Sequence, residues 1–211
     1  MRADSSRPKT AAINTAKVNH ATVRTFICIE IPGSIKTRIE DLQRGLKQID
    51  AAVSWVKPSN IHLTLKFLGA VEESRIQRVC EAAGRASRST GPIELIIAGA
   101  GCFPSARSPR VLWIGLKEVP TGLKTLYEAI EKEMAGCGFA RESRRFGPHL
   151  TIGRLRSQQN ARHLSEMLIS TGFQEEGFEA REVIVMRSNL NPKGSIYTPL
   201  AVLPLTCDTI S

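Results

Sequence analysis

The sequence contains little of what membrane-spanning, disulfide-stabilised and zinc-binding proteins require. No apolar run approaches the ~20 residues that a transmembrane helix needs, and the first 21 residues are polar and basic, without the apolar stretch of a secretory signal. The five cysteines are odd in number and show no C-x-x-C or other metal-ligand spacing. We therefore expect free thiols, no metal and a reducing compartment, the cytoplasm.

Acidic residues are outnumbered. The 211-residue chain has 20 Asp and Glu against 29 Lys and Arg, a net charge of +9. This surplus favours a polyanionic ligand, with nucleic acid as the leading candidate, although many basic proteins are simply basic. Hydrophobic residues (42%) and charged residues (23%) occur at frequencies ordinary for a globular protein. The length suffices for one well-buried core or for two small lobes that share a cleft.

Histidine is rare, yet two of the four histidines lie in near-identical apolar segments, His62-Leu63-Thr64-Leu65 and His149-Leu150-Thr151-Ile152. Because side chains of a strand alternate between its faces, the His and Thr of each copy project from one face and the Leu between them from the other. A lone histidine in a strand is more often structural than catalytic, but a duplication needed only for packing would not repeat the polar pair. We predict that both copies face one cleft.

Two imidazoles and two hydroxyls in one cleft suffice for metal-free acid–base chemistry on a phosphate. Opening a 2′,3′-cyclic phosphate requires one group to deprotonate water and another to protonate the departing ribose oxygen, and imidazole, with an unperturbed pKa of ~6.5, can do either near neutrality. Threonine hydroxyls can hydrogen-bond the phosphate oxygens. Added positive charge would help, and four basic residues lie near the motifs: Lys66, Arg144, Arg145 and Arg154.

Arg154 presents a geometric difficulty, because it stands five residues from His149 and a regular strand would point the two side chains to opposite faces. A bulge at Gly153, or the end of the strand there, would remove the conflict. The loop of residues 105–110 is a candidate guide for an RNA backbone, or simply a solvated loop. Aromatic residues that flank the motifs are candidates for stacking on a base, although such residues more often belong to the core: Trp55, Phe67 and Phe146.

Hydrophobic periodicity predicts alternating strands and helices. Strands are predicted over residues 22–31, 53–56, the two motif segments, 93–98, 111–116, 183–186 and 196–203, and helices over 32–49, 72–89, 121–135 and 161–169. This order predicts an α+β protein of two similar lobes, each a small, mainly antiparallel sheet covered by helices, with the two motif strands at the centre, one per lobe. Residues 1–21 would form a flexible basic tail, and residues 22–211 a single domain.

The motifs and their surroundings resemble the RNA 2′,3′-cyclic phosphodiesterases of the two-histidine (2H) phosphoesterase superfamily, whose members were first noticed for 2′-5′ RNA ligase activity. The similarity runs from about Val23 to Leu203. It rests on the segments Arg24–Ile27, Trp55–Gly69, Gly101–Pro104, Pro109–Gly115, Pro148–Arg154 and Ser188–Leu190, with Gly194 and Tyr197.

The resemblance implies a bilobal fold with outer helices around a central cleft, and hydrolysis of RNA 2′,3′-cyclic phosphate ends to 2′-phosphomonoesters without metal or cofactor. In the family pattern His62 is the proton donor, His149 the proton acceptor, Thr64 and Thr151 hold the phosphate, and Arg154 binds substrate. We expect Phe146 and Trp55 to bind substrate as well. The expected partner is RNA with cyclic phosphate ends, tRNA fragments among them, bound by a monomer that does not associate with membranes.

One departure and two alternatives accompany this interpretation. The family commonly has Arg-Pro-Phe before the second motif, where this chain has Arg144-Arg145-Phe146. Losing the proline frees the loop and adds charge beside the cleft, which bears on substrate preference. The first alternative is a non-catalytic module that binds RNA ends in the same cleft. The second is an enzyme that joins or cleaves 2′-5′ linkages, since joining reverses the opening of a cyclic phosphate by a 5′ hydroxyl.

Overall fold

The computed structural model describes residues 21–192 and 194–207, so the predicted tail, apart from its last residue, lies outside the described residues. Helices and strands alternate in the order predicted, which confirms the α+β class. The strands are β1 (Thr22–Glu30), β2 (Val53–Trp55), β3 (His62–Glu72), β4 (Ile93–Phe103), β5 (Val111–Leu116), β6 (Leu150–Leu155), β7 (Glu176–Ala180), β8 (Glu182–Asn191) and β9 (Gly194–Pro204). The helices are α1 (Gly33–Leu46), α2 (Ile76–Ser87), α3 (Thr121–Gly136) and α4 (Ala161–Thr171).

The strands form two antiparallel halves that meet at the motif strands. One half has the order β3-β1-β8-β9 and the other β7-β4-β5-β6, with β2 paired to the far end of β6. The halves are joined through one residue pair, Leu63 on β3 with Leu150 on β6. The two predicted sheets therefore share one hydrogen-bonded path, and each motif strand lies at the inner edge of its own half.

Each half is covered by two helices. Helices α2 and α3 pack on each other, with α2 against β8 and β9 and α3 against β3, while α4 packs against β4 and α1. Helix α1 is also fixed to the second half by Gln43, a fully buried side chain whose Nε2 donates to the carbonyl oxygens of Val56 and Ile152, both at 2.8 Å. These helices bury the apolar positions that predicted them, such as Ile35 and Ile39 in α1 and Leu126 and Ile130 in α3.

Sequence and structure differ mainly at strand ends and at one edge strand. β7 was not predicted, because its sequence Glu-Gly-Phe-Glu-Ala is short and polar, as suits the edge of a sheet. β4 continues to Phe103, five residues beyond its predicted end, because its last residues keep pairing with β5. Residues 72–75 belong to the end of β3 and a 3-10 turn rather than to α2.

A buried ion pair connects β3, α3 and the segment that precedes β6. Lys66 Nζ lies 2.7 Å from Glu131 Oε1, with both side chains less than a tenth exposed (6% and 8%). Lys66 also donates to the carbonyl oxygen of Ala140 (2.9 Å), and the second carboxylate oxygen of Glu131 accepts from the backbone N–H of Glu142 (3.0 Å). Lys66, a sequence candidate for phosphate binding, is thus committed to this structural pair.

We predict that Glu131→Gln lowers the free energy of unfolding by about 3–5 kcal/mol, because it leaves the Lys66 ammonium buried without a counter-charge. Glu133→Gln is the matched control on the same helix, since Glu133 pairs with the half-exposed Arg85 and such pairs contribute about 1 kcal/mol or less. Urea denaturation of both variants measures the difference. Equal losses would contradict the structural role of the buried pair.

Candidate active site

The motif strands show the predicted alternation. His62 and Thr64 are partly exposed while Leu63 and Leu65 are buried, and the second motif has the same pattern from His149 to Ile152. Because Leu63 pairs with Leu150 across antiparallel strands, His62 lies opposite Thr151 and Thr64 opposite His149. The two polar pairs therefore occupy one face, related by an approximate two-fold axis through the leucine pair.

Each motif strand then contains a β-bulge at the same place. The register of β3 against β1 skips Leu65, and that of β6 against β5 skips Ile152. Because the bulge inserts one extra residue, the alternation of side chains shifts by one, and the fifth residue after each histidine projects from the same face as the histidine. As a result Phe67 and Arg154, each five residues after its histidine, are exposed on the cleft side. The structure thus contains the bulge that Arg154 required, centred on Ile152 and directly before Gly153.

The two motifs enclose a cavity of about 150 Å³. Five of the seven predicted site residues line it, namely both histidines, both threonines and Arg154. The other lining residues are Val56, Asn60, Phe67 and Tyr197. None of these lining residues is acidic. No described carboxylate lies within ion-pair distance of Arg154, so its guanidinium is available to an anion.

Trp55 and Phe146, also predicted to bind substrate, do not line this cavity. Trp55 lies on β2 opposite Gly153, where its ring packs so closely that a Cβ on Gly153 would come within 3.2 Å of it. Phe146 stacks on Tyr127 (ring centroids 3.9 Å apart) and lines a neighbouring cavity. Both residues adjoin a motif in sequence, but their strand pairing or stacking directs them elsewhere.

Both imidazoles are held in the same way. The Nδ1 atom of His62 lies 2.8 Å from the carbonyl oxygen of Asn60, and Nδ1 of His149 lies 2.8 Å from that of Gly147. A carbonyl oxygen can only accept, so Nδ1 carries the proton in each ring. Nε2 is left to exchange a proton with a ligand. The backbone two residues before each motif therefore sets the tautomer that acid–base chemistry needs.

The surroundings of the two rings differ. His62 stacks on Phe26 (centroids 4.7 Å apart) and meets the edge of Tyr197 (5.4 Å). Burial among these rings lowers the pKa of His62 below 6.5, and the opposing effects of the Asn60 carbonyl and Glu30 are smaller. His149 contacts Phe103 edge-on (5.1 Å), and Phe103 is 41% exposed. The first histidine is thus enclosed and the second more accessible.

A family model described as LigT like Phosphoesterase matches the chain twice, over residues 29–113 and 114–197. The chain belongs to this family. Each match contains one motif, as the two-fold arrangement of the site requires. The predicted membership among the two-histidine phosphoesterases is confirmed.

Relatives in sequence and structure agree with this membership. The RNA 2′,3′-cyclic phosphodiesterase of Methanothermobacter thermautotrophicus is 36% identical over 184 residues, which cover 87% of this chain and 99% of its own. The protein of the same name from Thermotoga maritima is 34% identical, over 84% and 93% of the two chains. The crystal structure of E. coli LigT complexed with NADP+ superposes with a TM-score of 0.72 and 27% identity, over 88% and 98% of the chains.

Asn60 and Tyr197 complete the site of this LigT-like phosphoesterase, and reasoning from the residues alone gave neither a role. Asn60 binds His62 through its carbonyl oxygen and donates from its side chain to the carbonyl oxygen of Ser195 (2.8 Å). This bond holds the β8–β9 hairpin over the cavity and brings Tyr197 to His62. Asn60 could have been found from the sequence, because it lies two residues before His62. Tyr197 could not, because no local pattern connects it to a histidine so far away in the chain.

Within the residues described, none of the helices has the length and apolar character needed to cross a bilayer. In the same part of the chain, no three His, Cys, Asp or Glu side chains lie close enough together to hold a metal ion. The five cysteines, all described, are free thiols.

We predict that His62 titrates below 6.5 in the free protein and that Tyr197→Ala raises its pKa towards that value, because removing the ring admits water to the imidazole. NMR titration of the histidine ring signals measures both values. Tyr127→Ala is the control, since Tyr127 stacks on Phe146. An unchanged His62 pKa in Tyr197→Ala would show that burial by this ring is not the cause.

Proposed function

We propose that this LigT-like phosphoesterase hydrolyses RNA 2′,3′-cyclic phosphate ends to 2′-phosphomonoesters by acid–base catalysis between His62 and His149. The observation that carries the proposal is the pairing of the motifs across β3 and β6, with each histidine opposite the other motif's threonine. Two relatives that align with 84% or more of this chain bear the name RNA 2′,3′-cyclic phosphodiesterase. The site supplies the acid, the base and the phosphate-binding groups that hydrolysis of a cyclic phosphate needs.

In the proposed mechanism the cyclic phosphate lies between the two imidazoles. His149 Nε2 removes a proton from water as the water oxygen bonds to phosphorus. The bond from phosphorus to the 3′ oxygen breaks, and His62 Nε2 donates its proton to that oxygen, leaving a phosphomonoester on the 2′ oxygen. One acid and one base give a bell-shaped dependence of kcat/KM on pH. These roles follow the family pattern, and the unequal surroundings of the two rings support unequal roles.

The remaining groups stabilise negative charge. Thr64 and Thr151 offer hydroxyl donors to the non-bridging oxygens, and Arg154 offers a guanidinium that can bind two of them. The low pKa of His62 makes its cation a stronger acid. The negative charge of the bound phosphodiester favours that cation, so that substrate binding and protonation of His62 support each other.

The setting of the reaction is part of the proposal. The net charge of +9 suits an RNA substrate, of which tRNA fragments with cyclic ends are one class. Five free thiols are typical of a protein from a reducing compartment, in keeping with the cytoplasm. We infer that residues 22–211 act as one catalytic domain, as a monomer and away from membranes.

His62→Ala and His149→Ala should each reduce turnover of a short RNA with a 2′,3′-cyclic phosphate end, by about 10²–10⁴-fold, in buffer containing EDTA. His163→Ala, at an exposed position on α4, is the matched control and should keep full activity. Chromatographic assignment of the product as the 2′-phosphate tests the regiochemistry. Near wild-type rates for either motif variant would refute the two-histidine mechanism, whereas RNA binding without turnover by the wild type would favour a binding module.

Phe67→Ala should raise KM about tenfold and leave stability nearly unchanged. The ring is 63% exposed at the mouth of the cavity, and stacking of a base on an aromatic ring contributes roughly 1–3 kcal/mol. Steady-state kinetics on a mononucleotide 2′,3′-cyclic phosphate and thermal unfolding measure the two effects. Phe67→Tyr keeps a stacking face and serves as the control. An unchanged KM in Phe67→Ala would exclude Phe67 as the platform for the terminal base.

A further inference from the structure

A second, larger cavity adjoins the catalytic one. Its volume is about 420 Å³, and it shares Thr64, Phe67 and His149 with the cavity between the motifs. Its outer side is formed by the loop that leads to the second motif, which supplies Arg141, Arg144 and Arg145. We call this cavity the arginine groove. The proposed mechanism does not use it.

The arginine groove carries unbalanced positive charge. Its one lysine, Lys66, is neutralised by Glu131, and its remaining acid is Glu142. Within the described residues, no carboxylate lies within ion-pair distance of any of the three exposed arginines. The groove therefore has three cations against one uncompensated anion, on a surface open to solvent.

The loop that carries the arginines is fixed at both ends. At its start, Ala140 and Glu142 are bound to the Lys66–Glu131 pair. At its end, the carbonyl oxygen of Gly147 accepts from His149 Nδ1 (2.8 Å). Within the loop, the backbone N–H of Arg144 donates to Glu142 Oε1 (3.1 Å). The arginines are thus held beside the catalytic histidine.

We propose that the arginine groove binds the phosphodiester on the 5′ side of the terminal nucleotide, so that an RNA chain is a better substrate than a cyclic mononucleotide. This inference rests on the proposed function. A cyclic mononucleotide has one negative charge, which Arg154 and the threonines take up in the catalytic cavity. Each further nucleotide adds one phosphodiester anion, which needs a cation outside that cavity.

Phe67 determines the direction of the chain. Its ring lines both cavities, so a terminal base stacked on it lies at their junction and the preceding nucleotide enters the groove. The arginines of the β4–β5 loop, Arg107 and Arg110, are exposed as well but line neither cavity. The arginines of the groove and those of the β4–β5 loop therefore mark two different paths for the RNA chain. The position of Phe67 favours the path through the arginine groove.

The test compares kcat/KM for 2′,3′-cyclic AMP and for a hexanucleotide that ends in 2′,3′-cyclic phosphate. In the double variant Arg144→Gln/Arg145→Gln, we expect the ratio of the hexanucleotide value to the mononucleotide value to fall about tenfold, because charge-assisted bonds to phosphate are removed. The slope of log kcat/KM for the hexanucleotide against log salt should flatten by about 0.7 for each phosphate that the variant no longer binds. Arg107→Gln/Arg110→Gln removes the same charge from the other loop and should leave the ratio unchanged.

Two results would overturn the inference while leaving the proposed function intact. The first is an unchanged ratio in Arg144→Gln/Arg145→Gln, and the second is a fall of the ratio in the control variant instead. If the wild type opened neither substrate, the proposed function would fail. The groove would then be tested by the affinity for a hexanucleotide with a 2′-phosphate end. A tenfold weaker affinity in Arg144→Gln/Arg145→Gln would support it, and equal affinity would refute it.

Discussion

The pairing of Leu63 with Leu150 is the constraint on which the site depends. It is the one hydrogen-bonded pair that joins the two halves of the described sheet, and both leucines are fully buried. Each stands between the histidine and the threonine of its motif, so the contact that buries them also fixes how the motifs face each other. A shift of one residue on either strand would turn that motif's polar pair into the core and its leucines into the cleft. Hydrophobic burial thus determines the geometry of the candidate active site.

The bulges at Leu65 and Ile152 extend this symmetry to a third position. After the same irregularity, one motif presents Phe67 and the other presents Arg154. Under the proposed function, the substrate explains why equivalent positions carry different chemistry. A nucleotide end is itself asymmetric, with an anionic phosphate and a flat apolar base, so a duplicated scaffold serves it best when one copy supplies a cation and the other a ring. The two motif strands therefore share a backbone geometry but carry different side chains at this position.

The sequence was sufficient for the parts of the site that depend on local periodicity. Alternation in the two motifs predicted that His62, Thr64, His149 and Thr151 share a face, and they line one cavity. It was insufficient where the partner strand decides. The bulge at Ile152 exists in the register between β6 and β5, so the sequence left open whether a bulge or the end of the strand would bring Arg154 to the cleft. Proximity in sequence does not bring Trp55 into the cavity, because β2 pairs with β6 and the missing side chain of Gly153 provides the space in which the Trp55 ring packs. Tyr197 is the opposite case, since it reaches His62 from a hairpin at the other end of the chain, and pairing over such separations leaves no periodic signal in either segment.

Lys66 and Gly153 directly follow the two bulges. They show how the two motifs share a backbone geometry while their histidines have different surroundings. At the second position glycine leaves room for the ring of Trp55, which lies opposite it on β2. At the first position lysine reaches Glu131 and, through it, the loop that ends at His149. A buried ion pair contributes little net stability compared with apolar packing, so stability alone is a poor reason for its presence. Its position gives a better one, because it connects the strand of one histidine to the loop that orients the other. Both imidazoles bond to a backbone carbonyl oxygen, but the one that orients His149 belongs to this loop, and the ion pair gives the loop a fixed starting point.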